Sequence, residues 1–339
     1  MGVVEWRCCS LEYVIHCSLQ YNLASMFKEP SLKKLIKGKG LIFVWGGIII
    51  AYLFTRLYNI LGIPMFNDEA IYLRWAHLIK DDWHNLFVSL VDGKQPSFIW
   101  AEWLMLYVFN NPLLAGRTVS VVTGLVTLVG LYVLTKELFQ NRTIALLSSA
   151  LYVIYQYSLL YDRMALYDSM LSMFMVWSLY FEVLLVKKRQ IRLAVLCAIA
   201  IGGGLVTKSG ALFFIILIPF SALLFDFRKK HWRKELMRWL ILVVIVVVGA
   251  MVIQSIMRVS PNFKYIASKN HEFTLSLSEW IERPWSTFSS NIKVLWGFVV
   301  GYSTIPLLVI ALAAFVDRKY VREKLLLALW FILPFIAFA

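Results

Sequence analysis

Residues 97–110 read SFIWAEWLMLYVFN, and whether this stretch crosses a membrane decides the topology of everything after it. It is apolar but only about 14 residues long, short of the roughly 20 that a hydrocarbon core demands. It carries Glu102 and the rings Trp100, Trp103 and Tyr107, the aromatic types that settle at membrane–water boundaries. Length and aromatic content together predict a helix lying in the interface. The surrounding sequence is 60% hydrophobic and 15% aromatic, with a mean hydropathy of +0.71. That places the chain among polytopic helical membrane proteins.

Apolar runs predict spans at 41–61, 113–135, 143–161, 167–186, 191–207, 210–226, 238–257, 295–316 and 324–339. Charge counting then orients them. If 97–110 stays in the interface, 21 Lys and Arg residues fall on the inner side and 11 on the outer. If it crosses, the counts become 13 and 19, against the positive-inside rule. The first arrangement puts 62–112, 162–166, 207–210 and 258–294 on the outer face. The net charge of +14 lies in short clusters between spans. It therefore reads as topology and anionic-lipid contact, and no nucleic acid partner is expected.

Residues 1–40 form a basic inner segment. Residues 1–25 read either as sequence upstream of a start near Met26 or as an interfacial tail. The run 41–61 is too long for a signal-peptide core and lacks a small-residue cleavage site, so it reads as a retained anchor. The last run stops mid-span, which suggests that the C-terminal spans, 295–339, are truncated. Cys8, Cys9, Cys17 and Cys197 show neither a disulfide framework nor metal-ligand spacing.

Four elements on the outer face carry ionisable groups. Asn67 is placed to cap a helix over 68–80, with Ile71, Trp75, Leu78 and Ile79 on one face. Asp68 and Glu69 in its first turn suit the helix dipole, yet they follow a span end directly and so sit at membrane depth. Gly93-Lys94-Gln95-Pro96 leads into the Trp-rich helix, with Lys94 able to snorkel or to hold a phosphate as a point charge. Asp162, Arg163 and Asp168 fill a short turn. Locally, Asp162 would pair with Arg163 and Asp168 would cap the next helix, but ionisable groups at this depth mark function by default. Gly202-Gly203-Gly204 would allow close helix packing, and Lys208 follows at the boundary in Thr207-Lys208-Ser209-Gly210. Arg56 and Glu182, near span ends, are expected to snorkel or pair. A carboxylate beside several cations can act as a base on a hydroxyl while the cations stabilise a departing phosphate.

At these residues the chain resembles the GT-C glycosyltransferases, closest to protein O-mannosyltransferases and bacterial lipid A aminoarabinose transferases. The resemblance covers roughly 41–260. It rests on Asp68-Glu69 after the first span, Lys94-Gln95-Pro96, the Arg163 to Asp168 turn, and Thr207-Lys208-Ser209-Gly210. It implies an all-α, polytopic transmembrane helical bundle of GT-C type with outer-face juxtamembrane helices between the first two spans. The catalytic module would run over 41–260, with 258–294 as an outer loop. It also implies an inverting transferase that moves a sugar from a polyprenyl-phosphate donor to a hydroxyl on an acceptor protein, lipid or glycan. Carried over, Asp68 is the catalytic base and Glu69 its motif neighbour. Lys94 contacts the donor phosphate, with Arg163 and Lys208 as further phosphate contacts, and Asp162 and Asp168 shape the site. Gln95 stands where proline is usual. No cofactor is required and no metal is demanded by these residues, although a divalent cation is left open. The active site is expected on the extracytoplasmic side of a bacterial or archaeal plasma membrane.

Two other readings compete. A ligase or polymerase using a diphosphate donor would carry a late outer loop rich in Arg and His, whereas 258–294 holds a single histidine, His271. A transporter or flippase would show paired repeats and ionisable groups at mid-membrane depth, and neither is seen in the sequence.

Overall fold

The structure, a computed structural model, describes residues 39–273, Glu282 and 288–338. Residues 1–38 of the basic N-terminal segment lie outside the described residues, as do Trp280 and Trp285 of the late outer loop. The chain divides into two compact units, Met1–Ile50 and Ala51–Ala339. Every candidate site residue belongs to the second.

Among the described residues all regular elements are helical, which makes this an all-α, polytopic bundle. Among the described residues four unbroken stretches are long and apolar enough to cross a membrane, Gly40–Gly62, Pro112–Phe139, Tyr167–Lys188 and Trp232–Val259, and a bent pair, Phe288–Ser303 with Ile305–Ala313, could make a fifth. In chain order the α-helices are α1 Lys39–Leu57, α2 Asn67–Asp81, α3 Ser97–Met105, α4 Pro112–Phe139, α5 Arg142–Ile154, α6 Gln156–Tyr161, α7 Tyr167–Lys188, α8 Ile191–Thr207, α9 Leu212–Leu217, α10 Trp232–Gln254, α11 Lys264–Phe273, α12 Phe288–Ser303, α13 Ile305–Ala313 and α14 Val321–Phe338. A 3-10 segment, Trp83–Asp92, links α2 to α3.

Local chemistry sets the ends. Pro112 occupies the first turn of α4, and Asn111 before it accepts the Leu114 N–H at 3.1 Å, satisfying a donor that the helix itself cannot. Asn141 does the same for α5 through Thr143 N at 2.8 Å. α7 stops at Arg189, whose φ of 48° is left-handed.

The core of the bundle joins α4, α7, α8 and α10. The run Gly202-Gly203-Gly204 makes this possible. A Cβ at Gly202 would sit 2.7 Å from Ile253 of α10, one at Gly204 2.8 Å from Phe214 of α9, and one at Gly203 would collide with the edge of the Phe174 ring of α7. Three neighbouring helices thus close onto a strip with no side chains, the small-residue packing expected from the sequence.

Several predicted spans are interrupted. The run 143–161 breaks at the extended residue Tyr155, between α5 and α6. The run 210–226 is assembled from 3-10 turns around the six-residue α9, with Pro219 ending its regular hydrogen bonding. The run 295–316 bends by 93° where α12 meets α13, at Thr304, whose φ is 59°.

α2 and α3 form the expected pair ahead of the second long helix. α3 is nine residues long, too short to span. The helix face called from the sequence is shifted on α2. Tyr72, Leu73, Ala76 and Ile79 are buried, whereas Ile71 is exposed. Tyr72, Ala76 and Ile79 join Phe98, Ile99, Ala115, Met164 and Met170 in a second apolar cluster. Phe98 and Ile99 are fully buried within it. Lys80 of α2 also donates to the Leu106 carbonyl at 2.9 Å.

Candidate active site

Glu69 organises the site from beneath. It is fully buried. Its Oε1 accepts from Arg117 Nε at 2.9 Å and from the Ala165 N–H at 2.7 Å. Its Oε2 accepts from Arg117 Nη2 at 3.0 Å and from the Phe66 N–H at 2.9 Å. The last contact caps α2, so this role falls to Glu69 rather than Asn67, which lies inside the helix. Arg117 also donates to the Ile60 carbonyl at 2.5 Å and the Pro64 carbonyl at 3.4 Å. One ion pair therefore joins the stretch after α1, the start of α2, α4 and the turn before α7.

Asp68, one residue earlier, points the other way. Its Oδ1 lies 3.5 Å from Lys94 Nζ, and its Oδ2 accepts from the Tyr72 hydroxyl at 3.3 Å. Lys94 also lies 3.7 Å from Asp92 and 4.9 Å from the Tyr72 ring centroid. The Tyr72 ring stacks on Tyr167 at 5.3 Å. Lys208 Nζ lies 4.7 Å from the Tyr167 centroid and 3.0 Å from Asp168 Oδ1. Burial opposes the Lys208 charge, but Asp168 and the groups beside it outweigh it and hold the ammonium above its ordinary range.

The segments bearing the two lysines are clasped. Gln95 Nε2 donates to Ser209 Oγ at 2.5 Å, and Ser97 Oγ lies 2.7 Å from Thr207 Oγ1. Gln95, the departure from the usual proline, thus supplies one half of the clasp.

Asp162 and Arg163 point elsewhere. Asp162 is buried and accepts from Ser169 Oγ at 2.9 Å, Tyr152 at 3.1 Å and Tyr52 at 3.2 Å. Its cation is Arg56 at 3.5 Å, not the adjacent Arg163 that the sequence offers. Burial pushes the Asp162 carboxyl up to about 6, against Arg56 and these hydroxyls. Gly124 makes room, since a Cβ there would meet the Tyr52 hydroxyl and come within 2.5 Å of the carboxyl carbon. Arg56 completes its shell with the carbonyls of Val153 and Tyr152 and the Ser158 hydroxyl. Arg163 donates to the carbonyls of Tyr58 and Asn59 at 2.8 and 3.1 Å.

Among the described residues, the carboxyls of Glu102 and Glu182 are buried without hydrogen-bond partners. Burial, with the nearby Glu69 charge adding to it, pushes Glu102 well above the usual carboxylate range. Glu182, expected to snorkel or pair, is instead enclosed in α7 with both oxygens unsatisfied.

Asp68, Lys94, Asp168 and Lys208 are therefore brought into one connected patch, whereas Asp162 and Arg163 belong to the frame beside it. Sequence reasoning did not select Tyr72, Tyr167 or Arg117. A lone arginine near the start of an apolar span was the available signal for Arg117. The tyrosines resemble ordinary core residues until their ring faces are seen to carry the two ammoniums.

Residues 94–254 match the family model described as dolichyl-phosphate-mannose-protein mannosyltransferase. Over this segment the chain is similar to that family, a member of the GT-C superfamily. The matched segment includes Lys94, the 162–168 turn and Lys208, and begins after Asp68 and Glu69. The family implies a membrane glycosyltransferase that uses polyprenyl-phosphate sugars. No curated protein matches the chain.

Proposed function

We propose that the protein is an inverting glycosyltransferase that moves a sugar from a polyprenyl-phosphate donor to an acceptor hydroxyl at the extracytoplasmic face. The observation that carries this reading is the joined arrangement of Asp68, Lys94, Asp168 and Lys208 around the stacked tyrosines. The acceptor oxygen attacks the anomeric carbon, the bond from that carbon to the phosphate oxygen breaks, and the acceptor proton passes to Asp68. Lys94 and Lys208 hold the departing phosphate and offset its growing charge. In the free site Lys94 is shared between Asp68 and Asp92. An arriving phosphate draws it away and leaves the Asp68 carboxylate ready for the acceptor.

Glu69 enters as the residue that aims Asp68, since its oxygens are already committed to Arg117 and two backbone N–H groups. Asp168 sets the Lys208 ammonium, and Asp162 sets the turn. Arg163 is occupied by two carbonyls, so this reading keeps Lys94 and Lys208 as the phosphate contacts. No cofactor takes part in the proposed step. The extracytoplasmic placement is supported by the charge distribution of the loops. The acceptor is of the hydroxyl-bearing class, whether protein, lipid or glycan.

The test is transfer from a panel of radiolabelled polyprenyl-phosphate sugars in membranes holding the full chain, wild type beside Asp68→Asn. Transfer by the wild type alone supports the reading and names the sugar. Equal transfer by both removes Asp68 as the base, and use of diphosphate donors only would turn the protein into a glycan ligase or polymerase.

A further inference from the structure

Two tyrosines connect the parts of this site, and the reaction above gives them no role. Tyr72 lies on α2 and Tyr167 opens α7, with ring centroids 5.3 Å apart and planes inclined by 29°. Each ring carries one ammonium, Lys94 at 4.9 Å from Tyr72 and Lys208 at 4.7 Å from Tyr167. The Tyr72 hydroxyl also holds Asp68 Oδ2 at 3.3 Å. Tyr72 is fully buried in the apolar cluster that contains α3, so the stack is held from below.

The physical value of a ring face is that it attracts a cation without neutralising it. Lys94 also has Asp68 and Asp92 beside it and Lys208 has Asp168; the ring faces fix where each ammonium sits without adding a further negative charge. Burial and the neighbouring Tyr167 keep the Tyr72 phenol protonated, so towards Asp68 its hydroxyl acts as a donor and orients one carboxylate oxygen.

We infer that the Tyr72–Tyr167 stack is the positioning element of the site: Tyr72 orients Asp68 and seats Lys94, Tyr167 seats Lys208, and the stack fixes the two ammoniums relative to each other. This rests on the assignment of Asp68, Lys94 and Lys208 above. Both tyrosines act through other residues and touch no reacting atom.

The experiment measures binding of polyprenyl phosphate, without sugar, to the purified full chain in detergent, together with turnover in membranes. Tyr167→Leu should weaken binding about five- to tenfold, the effect of losing a cation–ring contact of about 1–1.4 kcal/mol, and Tyr167→Phe should restore it. Tyr72→Phe, which keeps the ring but not the hydroxyl, should bind polyprenyl phosphate within about twofold of the wild type yet turn over about tenfold more slowly, as expected for one lost hydrogen bond to a charged group. A general loss of folding would instead lower binding in Tyr167→Phe and Tyr167→Leu alike. Wild-type affinity in Tyr167→Leu, equal weakening by both Tyr167 variants, or full turnover in Tyr72→Phe overturns the inference. Failure of the wild type itself to bind polyprenyl phosphate, or full turnover by Asp68→Asn, overturns the underlying reading instead.

Discussion

Glu69 and Arg117 meet fully buried, with Arg117 Nε donating to Oε1 at 2.9 Å and Nη2 to Oε2 at 3.0 Å. Removing one partner of such a pair leaves an uncompensated charge and costs about 3–5 kcal/mol. Arg117→Leu should therefore lower the melting temperature in detergent by many degrees and reduce the yield of folded protein. A melting curve matching the wild type would refute the view of this pair as the joint of the outer segments.

Asp68 makes the opposite prediction. It is partly exposed, and its partners are a lysine and a phenol. Asp68→Asn keeps the shape and removes the proposed base, so transfer should fall by about 10²–10⁴-fold with the melting temperature unchanged. The comparison with Arg117→Leu separates chemistry from scaffold.

Lys94→Ala and Lys208→Ala should each weaken donor binding. The loss of one charged hydrogen bond, about 1.5–3 kcal/mol, corresponds to roughly 10–100-fold in donor affinity. Donor titrations with the two single variants and the double variant check this. An unchanged donor affinity in both single variants would move the phosphate elsewhere.

Asp162 predicts a pH dependence of stability. Its carboxyl is pushed up to about 6, first by burial, from an ordinary value near 3.8. The folded protein therefore binds this proton more readily than the unfolded chain does. The group's contribution is fully present below about pH 4 and is lost as pH rises towards about 6. The stability difference between wild type and Asp162→Asn should decline across that window and level off above it, as read by thermal melts at stepped pH. A difference that grows with pH across the window would contradict the burial of this carboxyl.

The glycine strip gives a packing test. Gly203→Ala drives a Cβ against the edge of the Phe174 ring and should destabilise by about 1–3 kcal/mol. Gly297→Ala, with open space around it, should be neutral or slightly stabilising, since alanine is the better helix former. Equal melting temperatures for the two variants would show that α7 and α8 are not packed this closely.

The membrane class, the two short helices before the second long span and the residue types of the candidate site were legible in the chain. Hydrophobic run length, aromatic placement and charge asymmetry are local quantities, and the bilayer reads them locally. The four motifs gave Asp68, Glu69, Lys94, Asp162, Arg163, Asp168 and Lys208 as candidates for the same reason: each is unusual against its own neighbours. Partner choice was not legible. Arg56 takes Asp162 across more than a hundred residues, and Arg163, adjacent in sequence, is turned to the carbonyls of Tyr58 and Asn59. The breaks at Tyr155 and Thr304 and the shifted face of α2 were hidden too. Periodicity marks which residues are apolar but does not rank which of two adjacent stripes meets the bundle. That ranking, the pairing of buried charges and the seating of two lysines on two stacked rings depend on which segments the packed helices bring within a few ångströms, and only the tertiary structure decides it.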